Sequence, residues 1–288
     1  MSDFAHTILG VILILAGWKS IPESLRWSLS HGDFQAAEQF IQHCESRVQQ
    51  RLGGALPEIA VTTERIVMEE EKQHFTWGTL FRPPLFWFTI LLFFIWFFNY
   101  FSVYGWNGVG VTLLVEQGYT LVHSIQMSIA GTIGGIVGAL IAPQVTDRFP
   151  RKWPPFIVTL LLAAELFLLG FGPNNLLITL EFGLLAFQVG IFAPIVYLLT
   201  AEHFPTEGRN LGVAVTDGIG HIGGAIGPVA VTAIYGDLGF SAVFLAIGVS
   251  FILCAVLLLF TKRTNRQNLE EIVLEEVEGP SVSLQEND

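Results

Sequence analysis

Asp217 and His221 lie four residues apart in a run that is otherwise apolar and glycine-rich. On a helix that spacing stacks both side chains on one face. A carboxyl beside an imidazole is equipped to take up, hold and pass a proton. Other polar side chains stand singly inside apolar runs: Asn99, Gln126, Glu181 and Gln188, with Glu165 in a run of its own. Such groups are costly in hydrocarbon, so inside a membrane segment each is a functional candidate. The chemistry they suit is hydrogen bonding to a small solute and proton binding. No His/Cys/Asp/Glu grouping has metal-ligand spacing, and there is no nucleophile elbow and no phosphate-binding loop. The expectation is a protein that is not an enzyme and needs no cofactor or metal.

A second set of charges flanks the apolar runs: Glu23, Arg26, Asp147, Arg148, Arg151, Glu202 and Arg209. Carboxylates and guanidinium groups at helix ends can pair across helix boundaries. Such pairs are weak when exposed and count for more when partly dehydrated. These seven are expected to form a latch that closes one end of a helical bundle.

The elements that must position both sets are membrane helices. The chain has 288 residues, 52% hydrophobic and 14% charged, too few charges for a soluble domain of this size. Seven apolar runs stand out, at 4–18, 85–115, 125–145, 154–172, 176–199, 211–235 and 240–261. They lack the alternation of barrel strands, so the expected fold is all-α. The first run would reach about 22 Å, short of the roughly 30 Å hydrocarbon core. The second is overlong and carries Gly105, Gly108 and Gly110, where a bend or break near Gly105 is expected. Small residues four apart, Gly131/Gly135 and Gly134/Gly138 in the third run and Gly220/Gly224 and Gly223/Gly227 in the sixth, predict close helix packing.

All 14 Lys and Arg residues fall on one side of a seven-span arrangement. The positive-inside rule makes that side cytoplasmic. The expected organisation is a membrane helix over 1–21, a cytoplasmic helical loop over 22–84, six spans over 85–262 and an acidic cytoplasmic tail over 263–288. Phe34, Ala37, Phe40, Ile41, Cys44 and Val48 give the loop a helical apolar stripe, and 62–73 is a second helix candidate. The net charge of −11 sits in that loop and the tail and speaks against a nucleic-acid partner. The expected partners are the lipid bilayer, a small-molecule substrate and a proton. Counting from the inner boundary, Asp217 lies about 12 Å deep and His221 about 18 Å.

Four motifs carry a resemblance. Ile21-Pro22-Glu23-Ser24-Leu25-Arg26-Trp27 closes the first span, and Asp147-Arg148-Phe149-Pro150-Arg151-Lys152 follows the third. Glu202-His203-Phe204-Pro205-Thr206-Glu207-Gly208-Arg209 follows the fifth, and Asn268-Leu269-Glu270-Glu271-Ile272 follows the seventh. In order and spacing the set resembles the sugar-porter-like, metabolite-transporting branch of the major facilitator superfamily, over its sixth to twelfth helices. The resemblance implies secondary active transport by alternating access, proton-coupled, in a plasma or bacterial inner membrane. It implies that spans two, three, five and six line the substrate and proton pathway. That favours Asn99, Gln126, Glu181, Gln188, Asp217 and His221 over Glu165. Patterns of hexose carriers are missing from spans two, three and five, and the run from Asp217 to Gly224 looks more like that of organic-acid and nicotinate carriers. The alternative is a non-transporting receptor or scaffold built on a transporter half. The resemblance also implies a chain that lacks most of an N-terminal half and does not transport alone.

Overall fold

The computed structural model describes residues 25–30, 32–54, 75–83, 85–171, 175–205 and 208–262. The expected first span, the helix candidate at 62–73 and the acidic tail lie outside the described residues. The chain forms two compact units, Met1–Glu70 and Glu71–Asp288.

In the first unit, α1 (Leu25–Ser30) and α2 (Phe34–Leu52) are joined by a tight turn. The Asp33 carboxylate caps α2 by accepting from the Ala36 amide at 3.0 Å. This satisfies one of the amides that a helix start leaves unpaired. Gly53, at φ 65°, closes the helix in the left-handed conformation that glycine adopts without strain. The predicted stripe is on one helix, but only Ala37 is buried; Phe34, Ile41 and Val48 are exposed.

In the second unit, the short α3 (Trp77–Leu80) precedes six long helices: α4 (Leu85–Glu116), α5 (Leu121–Arg148), α6 (Trp153–Phe171), α7 (Asn175–Glu202), α8 (Arg209–Leu238) and α9 (Phe240–Leu259). All six are long and apolar enough to cross a membrane. They match the second to seventh expected spans within a few residues. No strand occurs among the described residues. Helices are the form such sequences must take in lipid, because every backbone polar group is paired within the segment. The joints are short, and Gly118 (φ 93°) and Gly239 (φ 83°) make the turns after α4 and α8.

The helices pack in pairs, α4 on α8, α5 on α7 and α6 on α9, with α9 also against α4 and α6 against α7. Glycine sets the first two approaches. A β-carbon at Gly131 would lie 2.8 Å from the Phe182 carbonyl oxygen, and one at Gly134 or Gly138 would strike the α7 backbone. Gly190 answers from α7, its own β-carbon position falling on the Gly135 carbonyl. On α8, Gly220, Gly223 and Gly227 lie against Trp96, Phe97 and Phe101 of α4 in the same way. The break expected near Gly105 is corrected: α4 runs as one helix through that position. A β-carbon at Gly105 would lie 3.5 Å from the Gly227 backbone and 3.1 Å from the Val231 side chain, so its missing side chain serves close packing. Trp96, Trp106, Phe192, Phe244 and Phe251 fill the interior.

Candidate functional site

Two polar clusters lie within the apolar bundle. The first is built on Asp217. Because Gly220 and Gly223 bring α8 onto α4, the Asp217 carboxylate reaches the Tyr100 phenol, which donates a short hydrogen bond to Oδ1. The Tyr197 phenol of α7 donates to the same oxygen at 3.0 Å. Trp96 orients both phenols. Its ring stacks on Tyr100 at 5.3 Å and packs against Tyr197 at 4.5 Å, while its indole N–H donates to Thr200 at 3.2 Å. His221 covers the other side of Tyr100 with ring centroids 3.9 Å apart. Its Nδ1 donates to the Asp217 backbone carbonyl at 2.9 Å and stays 3.9 Å from the carboxylate. The imidazole therefore shields and orients the cluster. The cluster is partly open, the Asp217 side chain being 20% and that of His221 46% exposed.

The second cluster lies between α6 and α7. The Gln188 amide donates to both oxygens of Glu165, at 2.9 and 2.7 Å. Glu181, two turns along α7 from Gln188 and on the same face, is close enough to Glu165 for the carboxylates to act on each other electrostatically. Asn99 is buried on α4, with its side-chain amide nitrogen unpartnered among the described residues.

A third group of contacts joins the ends of the helices where the basic residues gather. Arg151 and Glu202 form an ion pair. Burial lowers the affinity of the Arg151 guanidinium for its proton, and the Asp147 carboxylate opposes that effect. Arg209 Nε donates to the Ala201 carbonyl at 2.9 Å and so helps close α7. Lys152 Nζ reaches the Leu259 carbonyl at 3.4 Å.

His203 ties α7 to the end of α9. Its Nδ1 donates to the Leu199 carbonyl at 2.7 Å, and its Nε2 accepts from the Lys262 amide at 3.2 Å. The second bond needs the neutral ring, because an imidazolium has no acceptor to offer Lys262. Burial lowers its pKa to about 4. The neutral ring is favoured by folding, so its contribution is complete above the ordinary value near 6.5. It declines as the pH falls from there and is gone below about pH 4, amounting to about 3 kcal/mol. Thermal unfolding of the detergent-solubilised chain should therefore weaken on going from neutral pH to about pH 4, and His203→Gln should flatten that dependence. The same acid sensitivity in both proteins would assign the effect to other groups.

Of the six residues expected to line a pathway, Asp217 and His221 share the first cluster, and Glu181 and Gln188 belong to the second. Asn99 is buried between the helices, and Gln126 is exposed near the start of α5 and joins neither cluster. Of the seven latch residues, Asp147, Arg151, Glu202 and Arg209 gather at one end. Arg148 is exposed on the last turn of α5, while Glu23 and the Arg26 side chain lie outside the described residues. The sequence reading set Glu165 aside and passed over Tyr100, Tyr197 and His203. A tyrosine as deep as Tyr100 was a usable signal, since tyrosines of membrane helices concentrate at the interfaces.

The family model of the Major Facilitator Superfamily matches residues 116–283. YyaJ of Bacillus subtilis (strain 168), provisionally named a metabolite transport protein, is 29% identical over 83% of this chain and 52% of its own length. The inner membrane metabolite transport protein YdjE of Escherichia coli (strain K12) is 28% identical over 92% of the chain and 60% of its own length. The niacin transporter NiaP of Acinetobacter baylyi (strain ATCC 33305 / BD413 / ADP1) is 24% identical over 89% of the chain and 57% of its own length. The chain thus spans a little over half the length of the curated relatives it matches. Its six paired apolar helices and the family match over more than half of its residues agree, and the chain belongs to the Major Facilitator Superfamily.

Proposed function

We propose that this chain forms the six-helix half of a secondary active transporter for a small metabolite, coupled to protons and working by alternating access. The observation that carries the reading is the Tyr100–Asp217–Tyr197 cluster. A carboxylate held by two phenols and open on one side can exchange those hydrogen bonds for ones to a solute. The exposed sides of α7 and α8 around it meet a second set of helices, so that the solute site lies between two halves near mid-membrane. The end bearing Arg151, Glu202 and Arg209 faces the cytoplasm of a bacterial inner membrane, and its ion pair latches that end when the site opens outward. The loop over 22–84 and the tail over 263–288 lie on the same side. The relatives named for metabolite and niacin transport support an organic-acid or sugar-like solute.

Proteoliposomes test this directly. The chain co-reconstituted with the N-terminal six helices of a relative should accumulate one of a panel of labelled metabolites, beginning with nicotinate. A protonophore should abolish the accumulation, and the chain alone should show none. Accumulation that ignores the proton gradient, or robust uptake by the chain alone as a monomer, would contradict the proposal.

A further inference from the structure

We infer that Glu165 and Glu181, with Gln188 bonded to the first, form a site within the bundle that holds one exchangeable proton, separate from the Asp217 cluster. Its use in a transport cycle rests on the transporter reading; the site itself does not.

Three observations carry it. First, two carboxylates lie on the packed helices α6 and α7, Glu165 half-buried and Glu181 buried. Glu181 is 3% exposed, and no described cation is paired with either acid. Two ionised carboxylates cannot stay together there, since desolvation and mutual repulsion both oppose the second charge. One proton on Glu181 removes both penalties. Second, acceptors are in surplus. Gln188 spends its amide hydrogens on Glu165, and its own Oε1, 94% buried with the rest of the side chain, has no partner among the described residues. Glu181 Oε1 has none either. Third, α4 carries matching orphan donors, Asn99 Nδ2 and Trp106 Nε1. The Trp106 ring packs on Phe182, the neighbour of Glu181, at 5.1 Å. Each buried group left this way keeps the cost of its lost hydration. A proton on Glu181 gives that side chain a donor as well as acceptors.

Among the described residues, no other titratable group bonds to the pair. On α4 and α8, Tyr100 and Tyr104 lie with Asp217 and His221. On α9, Cys254 faces the Ile95 carbonyl. On α5, His123 stacks on Tyr119 at one end, and Asp147 and Arg148 occupy the other. Tyr197, Glu202 and His203 lie further along α7. No third carboxylate or imidazole joins the two acids to make a metal-ion site among the described residues. Loading turns one carboxylate into a carboxylic acid and one hydronium into water.

The site shares α7 with the substrate cluster. Gln188 and Tyr197 are nine residues apart, about 13 Å along the helix. Pro194 lies between them. Having no N–H, it leaves the Gly190 carbonyl without its helical partner and gives α7 a place to flex. Proton occupancy at one end can thus bias the geometry of Tyr197 at the other.

Infrared titration of the full chain in lipid tests this without any transport measurement. A protonated-carboxyl band should be present at neutral pH and should titrate as one proton. Glu181→Gln should remove it, Glu165→Gln should move its midpoint by about one pH unit or more because a neighbouring charge is gone, and Asp217→Asn should leave it unchanged. Circular dichroism checks that each near-isosteric variant folds; where Glu181→Gln does not, the contrast between Glu165→Gln and Asp217→Asn decides. A band that ignores both glutamate variants, one lost in Asp217→Asn, or one displaced by sodium or potassium at fixed pH would overturn the inference. An intact band with no uptake in vesicles would fault the transporter reading alone.

Discussion

Gly223→Leu is expected to cost the chain about 3 kcal/mol or more of stability, enough to lose a monodisperse folded species in detergent. A β-carbon there falls on the Phe97 backbone of α4, at its carbonyl oxygen and Cα. Backbone cannot rotate out of the way as a side-chain tip can, so α8 must back off along its length. Overpacking of a tight contact typically costs 1–3 kcal/mol. Here the displacement also loosens Gly220 on Trp96 and Gly227 on Gly105, which share the seam. Gly218 provides the control from the same helix, since nothing lies within 4 Å of the β-carbon it lacks. Gly218→Ala should be neutral or stabilising by up to about 1 kcal/mol, because alanine is the better helix former. The measurement is thermal unfolding with size-exclusion profiles for both variants. Equal effects at the two positions would show that packing against α4 is not what Gly223 serves.

That seam was legible in the residues. Gly220/Gly224 and Gly223/Gly227 announce a close approach by spacing alone, and long apolar runs announce the spans because lipid allows few alternatives. What spacing does not carry is the partner. Asp217 and His221 read as a pair because they are four apart on one helix. Yet the carboxylate is held by Tyr100 and Tyr197, on two other helices, and the imidazole turns to a backbone carbonyl. Glu165 was set aside because its helix, taken whole, was assigned to the outside of a bundle. A helix has more than one face, and the side chain of Glu165 lies on the one that meets Gln188. His203 was invisible for a related reason. Both of its bonds go to backbone atoms, Leu199 and Lys262, that leave no mark in the pattern of side chains. The latch residues fared better, since charges at helix ends have few places to go. Glu202 pairs with Arg151, while Arg148, three residues before Arg151, is exposed.

Asp217→Asn is expected to lower the apparent affinity for substrate about 100-fold, in exchange as well as in accumulation. The substitution keeps the shape and still offers an oxygen to the phenols. It removes the charge that draws Tyr100 and Tyr197 onto one atom. Hydrogen bonds to a charged group are worth about 1.5–3 kcal/mol, and the upper end of that range corresponds to about two powers of ten in binding. Tyr100→Phe leaves the carboxylate one phenol and should lose about tenfold. Tyr197→Phe should do less, since that ring is the more exposed of the two and water can replace its hydroxyl. The glutamate pair predicts the opposite division of labour. Glu181→Gln should spare downhill exchange and abolish uphill accumulation, because it removes a proton site and leaves the solute contacts in place. Paired exchange and accumulation assays on co-reconstituted variants separate the two. Should Asp217→Asn keep normal exchange and lose only accumulation, Asp217 would be the proton carrier, and the phenols would serve to hold its ionised form rather than a solute.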